Sequence, residues 1–243
     1  MSRRGGNCPQ PKASCEARGH RRAQPRRVQG GVASSDLVFS ARVTSNASVF
    51  ADVLRLHVPA GSRVADVTYG QGAFWREVPA GEYQLEASDL KSGVDCTRLP
   101  YGDGSFDAVV LDPPYMEGLY RPATGQLAGS GTHAAFRARY STGTASEGGP
   151  KYHEAVLDLY RRAGIEAHRV LRRRGIFIVK CQDEVSAGRQ RLTHVELVNE
   201  YAERFVARDL FVVVRTGRPG VSRIKRQLHA RKNHSYFLVF VAR

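Results

Sequence analysis

The sequence predicts an α/β fold: one doubly wound sheet, mostly parallel, with an antiparallel strand pair at its C-terminal edge. Three observations lead there. Short runs rich in β-branched and aromatic residues alternate with longer segments of helical spacing, as in a parallel sheet covered by helices. A glycine turn, Gly70-Gln71-Gly72, follows the first strong run, and the run 106–111 stops abruptly at Asp112-Pro113-Pro114-Tyr115. Open α/β sheets hold their ligands beyond the carboxyl ends of their strands, so both turns fall where a site is expected.

Residues 1–35 are rich in Arg, Gly, Pro and Gln and poor in large apolar side chains, which predicts a disordered basic tail. Its composition suits either an arm lying on phosphates or an idle extension. Residues 36–243 then read as a single domain. The segment 46–57 has helical spacing, with Val49, Val53, Leu54 and Leu56 as its apolar stripe, and Pro59-Ala60-Gly61 ends it. Residues 63–67 form a first strand, 84–88 a second that closes at Asp89, and 106–111 a third. The stretch 116–150 is dominated by small residues without a sustained period, which predicts a mobile loop over the substrate. A helix follows over 151–172, broken by Gly175, and a strand over 176–179 runs into Lys180-Cys181-Gln182-Asp183. Another helix is expected over 193–207. The last strands, 210–214 and 236–241, flank a basic loop at 215–234.

A chain of 243 residues suits one domain with a full core. Lysine plus arginine exceed aspartate plus glutamate by 37 − 23 = 14, which points to a polyanionic partner, nucleic acid before others. Between 215 and 232 the residues Arg218, Arg223, Lys225, Arg226, Arg231 and Lys232 occur with no acid among them. An ordinary solvated face mixes signs, so phosphate contact is the expected role. Arg121, Arg137 and Arg139 in the long loop, and Lys180 after its strand, are read the same way. Cys8, Cys15, Cys96 and Cys181 are scattered, with no Cys-x-x-Cys pair and no histidine at a ligand interval, so neither a metal site nor a disulfide framework is expected. No run is long and apolar enough for a membrane span, and the basic N-terminus lacks the apolar segment of a signal peptide. A soluble, cytoplasmic protein in a reducing compartment is the expectation.

Each residue of the Asp112 turn has a chemical use. The prolines fix φ and leave carbonyl groups with no local N–H to pair with. A carboxylate and a bare carbonyl can together accept both hydrogens of an exocyclic amino group, and a tyrosine ring can stack on the base that carries it. At the other turn, Gly70 and Gly72 let the backbone bend sharply and present N–H groups to a ligand. Asp66 opens that turn, and Asp89 closes the next strand where a ribose diol is held in Rossmann-like sites. A dinucleotide is the rival ligand. The third glycine of its fingerprint is missing, because position 75 is Trp, which favours a ligand without a pyrophosphate.

Asp112-Pro113-Pro114-Tyr115 resembles the signature of the S-adenosylmethionine-dependent methyltransferases that act on amino groups of adenine or cytosine in DNA. Asp66, Gly70 and Gly72 match the glycine loop of that family, commonly Asp-Pro-Phe-x-Gly-x-Gly-Thr, while Val67, Thr68 and Ala73 depart from it. The resemblance implies a Rossmann-like methyltransferase sheet with S-adenosylmethionine as cofactor. Carried onto this chain, it places Asp66, Thr68, Tyr69, Gly70, Gly72, Phe74, Asp89, Asp95 and Cys96 at the cofactor, and Asp112, Pro113, Pro114 and Tyr115 at the target base. Phe74 and Trp75 are equally readable as core packing under the sheet. An aspartate opening the turn leans toward adenine, since cytosine-amino enzymes of the family more often begin it with serine. An RNA base-amino methyltransferase is the alternative, and a nucleic-acid-binding protein with an inactive methyltransferase fold is the non-enzymatic one.

Overall fold

The computed structural model describes residues 31–113, 152–217 and 226–243. Its centre is a seven-stranded sheet of β1 (Ala41–Val43), β2 (Arg63–Asp66), β3 (Gln84–Ala87), β4 (Phe106–Leu111), β5 (Leu171–Cys181), β8 (Phe205–Val214) and β9 (His234–Ala242), in the spatial order β1-β8-β9-β5-β4-β2-β3. β9 runs antiparallel to both its neighbours, and every other pairing in that sheet is parallel. A hairpin of β6 (Glu184–Ser186) and β7 (Arg189–Arg191) stands apart. From β2 the chain steps outward to β3, then crosses back to β4 on the other side of β2. The winding therefore reverses between β2 and β4, which is where such sheets leave a crevice.

Helix α1 (Asn46–His57) covers one face, and α2 (His153–Val170) and α3 (Thr193–Tyr201) cover the other. Ser45 caps α1 by accepting the Ser48 N–H at 3.1 Å, and Arg55 and His57 lie at its C-terminal end, where the helix dipole favours cations. Its buried stripe of Val49, Phe50, Val53 and Leu54 meets Val110, Ile178 and Val239 of the sheet. Helix α2 approaches closely because Ala155, Ala163, Gly164 and Ala167 form its inner face. The fully buried Tyr160 hydroxyl donates to the Lys180 carbonyl at 2.7 Å, and the Tyr201 hydroxyl to the Tyr160 carbonyl at the same distance. Both phenols thus avoid the cost of an unpaired buried donor.

Several boundaries differ from those read in the sequence. Helix α2 ends at Val170 and passes straight into β5, which begins at Leu171 and not at Ile176. Leu171 pairs with Phe106 and Ile176 with Ala108, so Arg172, Arg173, Arg174 and Gly175 bulge out opposite Asp107. The three arginines are exposed, Arg174 takes a φ of 62°, and an added Cβ at Gly175 would lie 3.1 Å from the Asp107 carbonyl oxygen. Helix α3 stops at Tyr201, six residues short of expectation, because Phe205 already belongs to β8. Phe205 packs against Phe177 and Phe240, with centroids 5.0 and 6.1 Å away, and tertiary packing outweighs the helical spacing of 202–207. Strand β1 and the β6–β7 hairpin have no counterpart in the sequence reading. Of the expected basic tail, 1–30 lies outside the described residues, as do the expected substrate loop and the stretch 218–225. No helix among the described residues is long and apolar enough to cross a membrane.

Candidate active site

Asp66 ends β2 and is buried, with its two oxygens already engaged: Oδ1 accepts the Thr68 N–H at 3.1 Å and Oδ2 the Trp75 indole N–H at 2.7 Å. Burial pushes its carboxyl up to about 6, against the pull of the Trp75 and Thr68 hydrogen bonds. Asp66 therefore braces the glycine turn from beneath. Gly70 and Gly72 both take left-handed φ, 59° and 65°. A Cβ on Gly72 would lie 2.5 Å from the Tyr69 hydroxyl oxygen, so the Tyr69 ring lies over this glycine. A ligand approaching the Gly72 backbone meets that ring first. Phe74 and Trp75 turn inward: Phe74 lies 5.4 Å from the Phe50 ring and 5.2 Å from Phe237, and Trp75 lies 5.2 Å from Phe50.

The end of β3 is tied to the same turn, since the Tyr69 N–H donates to the Ser88 carbonyl at 3.0 Å. Asp89 follows, half-buried, and its Oδ1 caps a short 3₁₀ turn through the Lys91 and Ser92 N–H groups at 2.9 and 3.0 Å. Its Oδ2 has no partner among the described residues, and the neighbouring Ser88 hydroxyl is buried without one. Asp95 is exposed and holds Thr97 through both the N–H and the hydroxyl at 2.8 Å. Cys96 packs partly into the core, and burial, reinforced by Asp95, pushes its thiol up to about 12.

Asp112 stands at the carboxyl end of β4, one strand over from Asp66. Its backbone N–H donates to the Thr68 hydroxyl at 2.6 Å, which fastens the two turns together. The residue retains some exposure, yet its Oδ1 is enclosed and has no hydrogen-bond partner among the described residues. Burial raises its carboxyl well above the usual range, with Asp66 adding to the rise and Lys180 opposing it. Pro113 is buried beside it. Pro114 and Tyr115, together with Arg121, Arg137, Arg139, Arg218, Arg223 and Lys225, lie outside the described residues.

The architecture is a Rossmann-like, mostly parallel α/β sheet with an antiparallel C-terminal strand. Among solved structures, this chain is similar to a 1,6-didemethyltoxoflavin-N1-methyltransferase of Burkholderia thailandensis, at 14% identity and a TM-score of 0.47, over 82% of this chain and 78% of that one. It is similar to TrmN of Thermus thermophilus at 15% identity and a TM-score of 0.46, over 81% of this chain and 48% of TrmN, so it spans about half of that protein. It is also similar to a TehB-like SAM-dependent methyltransferase of Corynebacterium glutamicum at 14% identity and a TM-score of 0.42, over 82% of this chain and 88% of that one. No protein-family model and no curated protein matches the chain.

Lys180 requires a correction. Expected at the nucleic acid, it is only 1% exposed and points into the core under α1, because it continues the inward-facing row of Ile176 and Ile178. Arg226 and Arg231 are exposed, and Lys232 is half-buried with its carbonyl accepting from Gln182 at 3.3 Å. These three residues line a cavity of about 570 Å³ whose opposite wall is formed by Gln182, Asp183, Glu184 and the β6–β7 hairpin. Asp112 is not part of that lining, but Gln182 and Asp183 prolong β5 beyond Lys180, so the cavity adjoins the same sheet edge.

A chain of polar contacts behind this wall went unread in the sequence. Asp183, 5% exposed, accepts from His194 Nδ1 at 2.7 Å and from the Tyr236 hydroxyl at 3.2 Å, and His234 Nε2 lies 2.8 Å from that hydroxyl. The hairpin is held by His153, which is fully buried, its Nδ1 at 2.7 Å from Glu184 and its Nε2 bonded to Glu196. Burial alone would depress the His153 imidazole, but the two glutamates outweigh it and raise it above its ordinary value. A histidine raised in this way stabilises the fold fully below its unfolded pKa, and that stability is lost as pH rises through the folded value. His153→Gln should flatten the pH dependence of thermal stability above about pH 6.5, the ordinary histidine value. Identical profiles for both proteins would show that His153 stays neutral.

Proposed function

We propose that the chain is an S-adenosylmethionine-dependent methyltransferase that modifies the exocyclic amino group of a flipped adenine in DNA. One observation carries the reading: at the topological switch point, Asp112 holds an enclosed carboxylate oxygen that no donor among the described residues satisfies. Leaving such an acceptor unpaired costs about 1–3 kcal/mol, more when it is charged. A ligand N–H at that oxygen offsets the cost. The residues around the glycine turn fit the proposed cofactor. The Asp89 Oδ2 suits a ribose hydroxyl, the Ser88 hydroxyl beside it has no partner among the described residues, and the Tyr69 ring over Gly72 offers a flat apolar surface.

When bound, S-adenosylmethionine supplies a methyl group already activated on sulfonium. What the chain then contributes is alignment and charge. An amine conjugated to a base ring is a poor nucleophile, because its lone pair is delocalised. Asp112 accepts one N–H and the Pro113 carbonyl the other, which favours a pyramidal nitrogen and stabilises its developing positive charge. The proton released from nitrogen passes to Asp112 or to water, and a carboxyl raised toward neutrality is suited to take it. Tyr115 stacks on the extruded base, worth about 1–3 kcal/mol. Arg226, Arg231 and Lys232, continuing the run of Arg218, Arg223 and Lys225, contact phosphates. Labelled methyl transfer to DNA and to RNA in parallel, followed by nucleoside analysis, tests the whole reading. Label in N6-methyladenine from DNA is the expected result. Label confined to RNA, or to N4-methylcytosine, would replace the substrate, and no label in any nucleic acid would overturn the reading.

A further inference from the structure

Side chains along β4, β5 and β9 alternate between the faces of the sheet. Leu111, Val179 and Leu238 share one register row and enter the core under α2 and α3. Val110, Ile178 and Val239 share the row before it and enter the core under α1. One step beyond Leu111 and Val179, Asp112 stands beside Lys180, and Lys180 pairs with Phe237, so this row turns to the α1 side. Asp66, paired with Val110, turns the same way. The Lys180 ammonium lies 4.1 Å from the Phe237 ring centroid and donates to the Ser235 hydroxyl at 2.7 Å. An ammonium has three hydrogens to donate, and Ser235 is its one hydrogen-bond acceptor among the described residues.

A buried cation with donors to spare thus sits in the row of a half-buried carboxylate whose enclosed Oδ1 has no partner among the described residues, and no ion pair joins the two groups. Ordinary pairing would close that oxygen. We propose that Lys180 is a positioning residue for Asp112: held back by Ser235 and Phe237, its charge keeps the carboxylate ionised while leaving Oδ1 open to the substrate amine. The inference rests on the methyl-transfer reading above. The other groups coupled to this pair are Asp66 on β2, which disfavours the Asp112 anion, Cys181 on β5 and Arg215 after β8. Desolvation lowers the Lys180 ammonium, Arg215 adds to the fall, and Asp112 and Cys181 oppose it. With Lys180 gone, Asp66 and desolvation act on Asp112 without a counterweight.

The test compares wild type, Lys180→Met and Ser235→Ala in two measurements. One is the pH profile of kcat/KM for methyl transfer. The other is the pH titration of the Asp112 carboxyl carbon in carbon-13-labelled protein, assigned with Asp112→Asn. Lys180→Met should move both the acid limb and the titration midpoint upward by about one pH unit or more, the scale set by losing one nearby opposite charge. Ser235→Ala, which frees the ammonium to pair with Asp112, should move the titration midpoint the opposite way, downward, and slow methyl transfer by closing Oδ1. It carries the test alone should Lys180→Met not fold. Unmoved midpoints would overturn the proposal, as would a midpoint that moves while the acid limb does not. A midpoint that shifts between wild type and Lys180→Met, where the wild-type protein transfers no methyl group, would leave the charge coupling intact and sink the function proposed for the site.

Discussion

Asp112→Asn is expected to lower the rate of methyl transfer by about 10²–10³-fold, the usual cost of removing one preorganised group that meets developing charge. Cofactor affinity should change little, because the residues proposed to hold the cofactor lie on the neighbouring turn and at the end of β3. The fold should persist as well. The backbone N–H of residue 112 keeps its bond to the Thr68 hydroxyl, and Oδ1 has no hydrogen bond among the described residues to lose. The sign of the pH dependence follows from the raised carboxyl: its contribution to stability is fully present below the unfolded pKa and lost as pH rises through the folded one. Asparagine removes that loss, so the variant should melt less differently between acid and neutral pH than wild type does. Single-turnover transfer, isothermal titration with S-adenosylmethionine and thermal melts check the three parts. Retained turnover would remove Asp112 from the mechanism.

Gly164→Ala is expected to destabilise the protein, against the rule that alanine favours a helix over glycine by roughly 1 kcal/mol. Gly164 lies inside α2, and a Cβ there would stand 2.3 Å from Cε1 and 2.9 Å from Cζ of the Tyr201 ring. That ring cannot swing aside cheaply. It is 2% exposed, its hydroxyl donates to the Tyr160 carbonyl, and it packs against Phe177, Phe205 and Phe240. Overpacking of this kind costs about 1–3 kcal/mol and more where backbone must shift, which exceeds the propensity gain. A net loss near 2 kcal/mol corresponds to roughly 4–8 °C in Tm for a chain of this size. A Tm equal to or above wild type would mean that α2 and α3 separate freely.

The strands that carry the site were readable from local pattern. The run Phe106–Leu111 was expected and found with the same bounds, as was α1 over Asn46–His57, because each is a strong period bounded by residues that end it. The glycine turn was readable too, since Gly70 and Gly72 adopt the left-handed conformations that their residue type permits. The late boundaries were not. Phe205 belongs to a strand because Phe177 and Phe240 wait for it, and no local window contains those rings. The roles of Asp66 and Lys180 were hidden for a related reason. An acid before a glycine turn looks like a ligand contact until an indole nine residues later is seen to occupy it. A lysine ending an apolar strand looks like a surface charge, although its period-2 alignment with Ile176 and Ile178 was a signal for burial.

What the sequence determined by itself was the kind of fold and where along the chain its turns fall, since periodicity, glycine and proline act within a few residues. What only the tertiary structure decided was which groups are already satisfied. Asp66 and Asp112 are both acids at strand ends, yet one is bonded through both oxygens and the other keeps an enclosed oxygen without a donor among the described residues. The donors to Asp66 lie only two and nine residues along the chain, while the charges acting on Asp112, those of Lys180 and Asp66, lie dozens of residues away. Folding decides both, because a carboxylate's chemistry is set by the hydrogen bonds, charges and water that three-dimensional packing brings to it or denies it.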